Sequence, residues 1–399
     1  MLIAEYKLRV NQSRQAAIDE AIRTTQFVRN KALRLWMDGR GIGQYDLQAL
    51  CAQLAQAYPF AARLNSMARQ AAADRAWQAI ARFYANCREK KPGRKGYPKF
   101  QHDNRSVEYK TSGWKLEPDG KRLTFTDGHG IGTVRLIGTR SIETFPIARI
   151  KRVRLLKRAD GYYVQFVVQA DRQIDHQPTG KQVGIDVGLK AFYTDSDGNT
   201  VANPRYLRKA ETKLKRLHRC LDRKPKGSKN RKKAIKRLGC GYLRVSRQRK
   251  DFAAKTASAL VSSHDLIAYE DLKIASLVKN HHLAKSIADA SWGLLLGWVR
   301  SYGGLHGIPI VAVSPRFTTQ DCSGCGFRVK KTLSMRTHVC PACGLVLDRD
   351  HNAALNILEL ALNRTAGQAG TGSASAERNA SGQQTSSRVK RLASVASAG

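Results

Sequence analysis

The sequence is poor in acidic residues. It has 31 Asp and Glu against 70 Lys and Arg in 399 residues, which gives a formal net charge of +39. Like charge in this excess repels itself in a compact chain, so it normally implies a polyanionic partner. Long apolar runs are also lacking, since none approaches the roughly 18 residues of a membrane-spanning helix. We therefore expect a nucleic acid as the partner and no association with a membrane.

A secretory apolar segment is absent as well. The stretch Met1–Val10 carries Glu5, Lys7 and Arg9, which rules out the apolar core of a signal peptide there. Cysteine is sparse at eight residues, and four of them have no regular spacing: Cys51, Cys87, Cys220 and Cys240. Without an export signal these four are best interpreted as reduced thiols. Both features favour a cytoplasmic protein.

Apolar residues make up 42% of the chain, enough for a core in more than one domain. In the first part, alternation predicts a strand over Leu2–Val10, and Ser13 is the expected cap of the following helix. Helical periodicity continues to about Asn86, with breaks near Gly39–Gly43 and at Pro59. Shorter runs then predict strands at Leu123–Thr126, Gly132–Leu136, Ala148–Leu156 and Tyr162–Val168. We expect a strand-rich body over 1–13 and 88–172 with a helical insertion over 14–87.

A different pattern begins after a polar linker at 173–181. Apolar runs of strand length recur between helical stretches, which predicts an α/β domain over 182–319 and 345–363. The expected strands are Val183–Val187 with its hairpin partner Ala191–Thr194, then Leu266–Tyr269 and Ile308–Val313. The last part, 364–399, is rich in Ala, Ser, Gly and Gln and is expected to be a disordered tail.

The segment 205–250 contains twenty Lys and Arg but only two acids. Its apolar residues form two helical stripes, one of Leu207, Leu214, Leu217 and Leu221, the other of Ile235, Leu238, Tyr242 and Val245. This predicts a basic helical hairpin whose outer faces bind phosphates. A solvated hairpin without a ligand is the alternative. The candidate contacts are Lys213, Lys215, Arg216, Arg219, Lys232, Lys233, Lys236 and Arg237.

The remaining cysteines form two CxxC pairs, Cys322–Cys325 and Cys340–Cys343, separated by fourteen residues. Four thiolates complete a tetrahedral shell around one zinc ion and leave no open position, so the site is expected to be structural. Two disulfides are the competing interpretation. The intervening basic residues, Arg328 and Lys330 among them, suit a ribbon over 320–344 that also touches nucleic acid.

Three acids occupy positions that are costly without a cation. Asp186 lies inside an apolar strand, Glu270 ends another, and Asp350 opens an amphipathic helix. Together they could hold two Mg²⁺ ions about 4 Å apart, an arrangement that hydrolyses phosphodiesters. We predict Asp186 as the bridging ligand with Glu270 and Asp350 on either side. Asp348 is an alternative to Asp350, which could itself be only a helix cap.

Several motifs resemble the TnpB family of insertion sequences, which is related to type V CRISPR effectors. These motifs are Gly-Ile-Asp-Val-Gly at 184–188, Tyr-Glu-Asp-Leu at 269–272, Ser-Pro-Arg-Phe-Thr-Thr-Gln-Asp-Cys-Ser-Gly-Cys-Gly at 314–326 and Asp-Arg-Asp-His-Asn-Ala-Ala-Leu-Asn-Ile at 348–357. The resemblance spans roughly residues 1–363. It implies an RNase H-like RuvC nuclease domain with an inserted zinc-binding module, and an N-terminal β-barrel wedge domain carrying a helical recognition insertion.

The resemblance further implies an endonuclease of bacteria or archaea, active at the nucleoid, that uses guide RNA from its transposon end to cut double-stranded DNA. Base pairing then reads the sequence while the protein reads shape and backbone. Tyr97 and Lys99, in a segment similar to the family's, are candidate single-strand contacts or simply a packed turn. The alternatives are a guide-dependent repressor, a DNA-joining transposase, a plain RNA-binding protein and a miniature CRISPR-associated nuclease.

Overall fold

The computed structural model describes residues 1–138, 142, 145–170, 172–332 and 334–368. The chain forms two compact units. The first unit comprises Met1–Pro178, Asn203–Ser263 and Ile274–Ile308; the second comprises Thr179–Ala202, His264–Lys273 and the chain from Pro309 onwards. No helix within the described ranges is long and apolar enough to cross a membrane.

The first unit is built on a seven-stranded antiparallel sheet with the strand order β2-β6-β7-β1-β5-β4-β3. All seven strands contribute to one apolar core, centred on side chains such as Tyr109, Leu123 and Phe166. The strands are β1 (Leu2–Arg9), β2 (Ser106–Tyr109), β3 (Trp114–Leu116), β4 (Arg122–Phe125), β5 (Gly132–Ile137), β6 (Ile150–Arg158) and β7 (Gly161–Val168).

Alternation in β1 has the expected consequence. Tyr6 and Leu8 are buried in the core while the charged residues between them face outward, because successive side chains of a strand point to opposite faces. β1 lies in the centre of the sheet, between β5 and β7. The N-terminal strand is therefore held on both edges.

Four helices follow β1: α1 (Gln12–Asp38), α2 (Gln44–Ala57), α3 (Pro59–Ala62) and α4 (Ser66–Arg88). The predicted Ser13 cap is wrong. The cap is Asn11, whose side chain accepts a hydrogen bond from the Arg14 backbone N–H at 2.9 Å, and Ser13 already lies inside the helix. The helices enclose their own core of Leu33, Leu47 and Ile80 with neighbouring apolar residues.

The basic segment forms α5 (Tyr206–Asp222) and α6 (Lys229–Ser263), the latter thirteen residues longer than predicted. A Cβ at Gly241 would lie 3.0 Å from Leu214 Cδ2, so the helices pack closely there. Leu238 and Val245 are buried as expected. Ile235 and Tyr242, also assigned to the apolar stripe, are 52% and 45% exposed. The apolar stripe of α6 is thus narrower than predicted.

Three helices complete the first unit: α7 (Ile274–Leu277), α8 (His281–Ala290) and α9 (Trp292–His306). Asp289 on α8 is buried and anchors the base of the basic hairpin. Its carboxylate accepts hydrogen bonds from the first-turn N–H groups of α5, at Leu207 (2.8 Å) and Arg208 (3.0 Å). It also pairs with Arg249 of α6 at 2.9 Å. One side chain thereby caps one helix and binds the other.

The second unit holds a mixed five-stranded sheet with the order β10-β9-β8-β11-β12. β9 pairs antiparallel with both of its neighbours, β8 and β10, whereas β11 pairs parallel with both of its neighbours, β8 and β12. The bounds are β8 (Gln182–Val187), β9 (Ala191–Asp195), β10 (Thr200–Ala202), β11 (Leu266–Glu270) and β12 (Ile310–Val313), with a separate hairpin of β13 (Thr337–Val339) and β14 (Val346–Asp348).

Helix α10 (Arg349–Gln368) packs on β8 with almost no intervening space. A Cβ at Gly184 would lie 2.2 Å from the Ala354 carbonyl oxygen, closer than any real contact. Only glycine therefore allows this helix to lie against the strand. α10 also passes the predicted start of the disordered tail at 364: Arg364 donates to the Ala312 carbonyl at 2.9 Å. Residues 369–399 of the predicted tail lie outside the described part of the chain.

The domain boundaries given above remain predictions. The compact units divide the predicted nuclease domain differently, because 203–263 and 274–308 cluster with the first unit. All three predicted catalytic acids nevertheless belong to the second unit.

Candidate functional site

Asp186 and Glu270 lie near the carboxyl ends of two adjacent parallel strands. In the ladder between β8 and β11, Ile185 is the partner of Tyr269, so Asp186 and Glu270 are the next residues along each strand. Partners in a parallel ladder point to the same face of the sheet. The sheet thus brings together two acids that are 84 positions apart in the sequence.

Asp350 reaches the same region from α10. It lies in the first turn of the helix, where Asp348 accepts hydrogen bonds from the backbone N–H groups of Asp350 (2.8 Å) and His351 (3.4 Å). Asp348, the alternative to Asp350 in the sequence, is therefore the residue that caps the helix. A Cβ at Gly188, just after β8, would lie 3.9 Å from Asp350 Oδ2, which puts this carboxylate beside the end of the strand.

The three acids interact electrostatically. Burial raises the pKa of Asp186 well above its usual value, and the negative charges of Glu270 and Asp350 raise it further. Burial also raises the pKa of Glu270, although a hydrogen bond from Thr318 opposes that effect. A buried carboxylate whose ionisation two neighbouring acids disfavour marks a site that a cation would stabilise.

Neighbouring groups hold two of the carboxylates. The Thr318 hydroxyl, itself buried, donates to Glu270 Oε1. The Arg349 guanidinium donates to Asp350 Oδ1 through Nε (3.0 Å) and Nη2 (2.8 Å). The three acids do not bring their oxygens within 4.8 Å of one another, and in the described ranges only the four cysteines form such a group.

The four cysteine sulfurs do converge. Cys322 Sγ lies 3.6 Å from Cys343 Sγ, and Cys325 Sγ lies 3.6 Å from Cys340 Sγ. A disulfide would require about 2.05 Å. Four sulfurs at about 2.3 Å from a central zinc ion are separated by about 3.8 Å along each tetrahedral edge. The spacing excludes two disulfides between these pairs and fits a zinc ribbon.

Both CxxC turns have the same local structure. The Gly326 N–H donates to the Cys322 carbonyl at 2.8 Å, and the Gly344 N–H donates to the Cys340 carbonyl at 2.9 Å. The two glycines have φ values of +75° and +76°, a region that glycine enters without strain. The glycine after each pair is thus required by the turn that presents the thiols.

All eight predicted contacts on the basic hairpin are exposed on α5 and α6. Lys215 pairs with Glu211 at 2.9 Å, whereas the other seven have no salt bridge to a described residue. Lys232 and Lys236 line a cleft of about 890 Å³ in the first unit, together with Lys157 and Arg158 of β6. These residues form a basic surface, and their binding to nucleic acid stays a prediction.

The other predicted contacts differ in availability. Arg328 donates to Asp321 at 2.7 and 3.1 Å and stacks 3.6 Å above the Phe317 ring, so its guanidinium is already engaged. Lys330 is exposed. Tyr97 packs against Trp36 and Phe83, with ring centroids 5.6 and 5.3 Å apart, yet remains 53% exposed. Lys99 is exposed as well. A packed turn and a contact to single-stranded nucleic acid therefore both stay as interpretations of Tyr97 and Lys99.

Sequence reasoning missed Thr318 and two asparagines of α10. The Asn352 side chain accepts from the Ser323 N–H at 3.0 Å and donates to the Asp321 carbonyl at 2.8 Å. Asn356 donates to the carbonyls of Thr318 and Asp321, both at 2.8 Å. These residues join the helix that carries Asp350 to the first cysteine turn. Thr318 stood within the motif that resembles the family, and no composition signal distinguished it.

Comparison with known proteins adds two family matches. Residues 165–281 match the family OrfB_IS605, described as "Probable transposase", and residues 292–357 match the "Cas12f1-like, TNB domain". The first match contains Asp186 and Glu270, and the second contains the four cysteines and Asp350. The chain is therefore similar to these two families over these two segments.

Two relatives illustrate the similarity of the chain to known proteins. A Streptomyces pristinaespiralis protein named "Putative RNA-guided DNA endonuclease" is 35% identical over 52% of this chain and 52% of its own length. The Escherichia coli protein "Putative RNA-guided DNA endonuclease InsQ" is 26% identical over 66% of this chain and 68% of its own. The match thus spans about half the length of the Streptomyces relative.

Solved structures share the fold at low sequence identity. A Cas12f1 chain, from a complex with single guide RNA and target DNA, superposes with a TM-score of 0.51 at 14% identity, over 87% of this chain and 83% of that one. A CasPhi-2 chain bound to crRNA gives 0.50 at 10% identity, over 90% and 98%. The chain therefore has the mixed α/β fold of these proteins, including a module similar to their zinc-ribbon-like domain.

Proposed function

We propose that this protein is an RNA-guided DNA endonuclease and that Asp186, Glu270 and Asp350 form the active site at which it hydrolyses phosphodiester bonds. The observation that carries the proposal is the convergence of these three acids in the second unit, two from neighbouring parallel strands and one from the start of α10 beside the end of β8. Each comes from a different element, and burial together with the other two charges raises the pKa of Asp186. Such a cluster is costly in a protein that does not bind cations.

We assign Asp186 as the ligand that two Mg²⁺ ions share, with Glu270 and Asp350 each completing one side. The donor set fits, since Mg²⁺ prefers carboxylate oxygens and keeps several waters. When bound, such ions activate water and relieve charge on the leaving oxygen. The chain's own groups orient the ligands: Thr318 fixes the Glu270 carboxylate, and Arg349 fixes that of Asp350.

The five-stranded sheet is proposed to be the RNase H-like RuvC domain. Two features support this proposal. The sheet combines three antiparallel strands, β8 to β10, with two strands, β11 and β12, that run parallel to β8, and α10 packs against the sheet. The seven-stranded sheet of the first unit is proposed to be the wedge domain and α1–α4 the recognition insertion. One core shared by all seven strands supports the former, and the separate core of the helices supports the latter.

Zinc is proposed to hold the ribbon rather than to take part in the reaction, because four cysteines leave no coordination position open. Guide RNA and double-stranded DNA are the proposed partners, and the transposon end is the proposed origin of the guide. A net charge of +39 and the exposed cations of α5 and α6 support a polyanionic partner.

The test is to purify the full chain with its bound RNA, sequence that RNA, and assay cutting of a matching duplex with Mg²⁺. We expect the wild type to cut and Asp186→Asn to bind equally well but not to cut. Asp197→Asn, an exposed acid after β9, is the matched control and should retain activity. Absence of bound RNA would refute guidance, unchanged cutting in Asp186→Asn would refute the site, and binding without wild-type cutting would favour the repressor.

A further inference from the structure

Three arginines of the first unit lie side by side on adjacent strands. Arg9 of β1 is the direct partner of Arg135 of β5, and Arg135 is in turn the direct partner of Arg122 of β4. Directly opposed residues of antiparallel strands place their side chains on the same face, with Cβ atoms about 5 Å apart. We call Arg9, Arg122 and Arg135 the arginine row.

The arginine row lies on the outer face of the sheet. Leu8, Leu123 and Val134, which alternate with the arginines, point into the core, while all three arginines are exposed. Together with Arg14 they line a cleft of about 550 Å³ whose other walls include Asn11 and Thr133. The cleft is therefore open to solvent and lined by four arginines.

This arrangement is electrostatically unfavourable by itself. Like charges directly opposite one another destabilise a sheet, and Arg14 adds a cation to the first turn of α1, where the helix dipole favours anions. Arg122 pairs with Asp119 at 2.8 Å. No other carboxylate of the described residues lies within salt-bridge distance of the four arginines. The site thus has about three positive charges without a counter-charge in the part of the chain described.

The length of the row suits a phosphodiester chain. Strands are about 4.8 Å apart, so three neighbouring strands spread the row over about 10 Å. One nucleic-acid strand carries a phosphate about every 3.4 Å along its axis, which gives about three phosphates over that distance. Guanidinium groups bind phosphate oxygens through paired donors.

We propose that the arginine row, with Arg14, is a binding site for the phosphate backbone of a nucleic-acid strand. The site lies on β1, β4, β5 and the start of α1, and none of its residues belongs to the basic hairpin. The proposal rests on the proposed nucleic-acid function and adds to it a fixed contact on the wedge sheet. An anion there would offset both the cross-strand repulsion and the cation at the helix start.

The test compares the full-length wild type with the triple variant Arg9→Gln, Arg122→Gln, Arg135→Gln. Binding of a single-stranded RNA and of a duplex DNA is measured between 50 and about 300 mM salt. Each lost phosphate contact lowers the slope of log affinity against log salt by about 0.7 to 0.9. We expect the variant's slope to be shallower by about two for at least one probe. Its melting temperature at low salt should equal or exceed that of the wild type, because the opposed cations are gone.

The matched control removes three exposed cations that already have acidic partners: Lys91 (with Glu89), Arg105 (with Asp103) and Lys255 (with Asp251). Its triple Gln variant should change the slope by less than one. A change for RNA alone identifies guide RNA as the occupant, and a change for DNA alone identifies the target. If the wild type binds steeply and the arginine variant keeps both slopes, only the arginine-row proposal fails. If the wild type binds neither probe, the proposed function fails with it.

Discussion

At the residue scale, burial and two neighbouring acids both disfavour the ionised form of Asp186. Its carboxylate lies within a strand, close to two other acids, and burial together with these charges raises its pKa. The folded protein therefore binds this proton more tightly than the unfolded chain does. In the absence of metal, ionised Asp186 lowers the free energy of unfolding at neutral pH, and the loss disappears as the pH falls towards the unfolded value of about 3.9.

Replacing Asp186 with Asn should therefore stabilise the metal-free protein. At pH 7.5 in Mg²⁺-free buffer without a chelator, we expect Asp186→Asn to raise the free energy of unfolding, because the raised pKa makes ionised Asp186 costly in the folded state. The gain should shrink as the pH is lowered to about 4. Thermal unfolding measured at both pH values checks this, with Asp197→Asn as the neutral control. A destabilised Asp186→Asn at pH 7.5 contradicts it.

Thr318 should tune the acidity of Glu270. The hydroxyl of Thr318 donates to Glu270, and this hydrogen bond opposes the effect of burial, which raises the pKa of that carboxyl. Thr318→Val removes the donor at nearly constant volume, so the pKa of Glu270 should rise further and ionisation should require a higher pH.

We expect Thr318→Val to need several-fold more Mg²⁺ for half-maximal cutting and to shift the acidic limb of the pH–rate profile upward. Thr319→Val is the adjacent control, because no hydrogen bond from the Thr319 side chain is found in the described structure. Equal Mg²⁺ requirements in the two variants would show that Thr318 does not act on Glu270.

The sequence indicated Asp186 and Glu270 because each lies in or ends an apolar run, and Asp350 because it opens an amphipathic helix. These signals are local. It could not indicate Thr318, since a threonine in a polar loop has no distinguishing context. Nor could it separate Asn11 from Ser13 as the helix cap, because both residues favour that position and only the backbone conformation decides. The cysteines were the opposite case, since their spacing alone specified the geometry found.

At the scale of elements, the contact between α10 and β8 determines where Asp350 lies. Gly184→Ala would place a methyl group 2.2 Å from the Ala354 carbonyl and 2.8 Å from the Leu358 nitrogen. The backbone of α10 must then move, so we expect a loss of several kcal/mol of stability and little remaining cutting. Denaturant unfolding and the cleavage assay measure the two effects.

Gly297→Ala is the matched control for that change. Gly297 lies inside α9, and a Cβ there would meet nothing within 4 Å. Alanine in a helix interior is favoured over glycine by up to about 1 kcal/mol. This variant should therefore be as stable as the wild type or more so, and comparable losses in both variants would argue against the close packing of α10.

Removal of the Asp289 side chain should destabilise the basic hairpin. Asp289→Ala removes the cap of α5 and leaves Arg249 without its buried partner. Loss of one member of a buried ion pair costs about 3–5 kcal/mol. We expect faster amide hydrogen exchange in the first turn of α5 and weaker RNA binding. Asp251→Ala, which breaks an exposed pair with Lys255, should change neither.

The eight-residue β1 and the long helices α1, α4 and α5 follow from periodicity. The strands β2, β3, β10, β13 and β14 are only three or four residues long and were missed, whereas the equally short β4 and β12 lie in apolar runs and were predicted. The full extent of α6 was missed because the prediction stopped where the basic run ended, whereas the helix continues through apolar Ala253, Ala257 and Leu260.

At the scale of the whole molecule, the excess positive charge should make the fold dependent on its ligand. A partner that binds only the folded chain stabilises it by about 2.7 kcal/mol at a concentration one hundred times its dissociation constant. We expect nuclease treatment followed by high-salt washing to lower the melting temperature at low salt, and added RNA to restore it. An equal concentration of uncharged polymer is the control. A melting temperature that is independent of RNA would contradict this prediction.

The pairing of strands within each unit could not be predicted from sequence patterns. Alternation identifies a strand but not its neighbour, and the residues of β1 pair with residues 126 to 166 positions away. The same limit hid the arginine row, whose three members are unremarkable in the sequence and meet only through the register of β1, β5 and β4.

The cysteine turns and the third acid share one short stretch of chain. β14 ends at Asp348, the cap of α10, and Asn352 and Asn356 of that helix bind the segment beside Cys322. Oxidants that convert the thiolates to disulfides, or chelators that strip a tightly held ion, would loosen the support of Asp350 as well. We therefore expect the proposed cutting of DNA to be lost under oxidising conditions even with abundant magnesium.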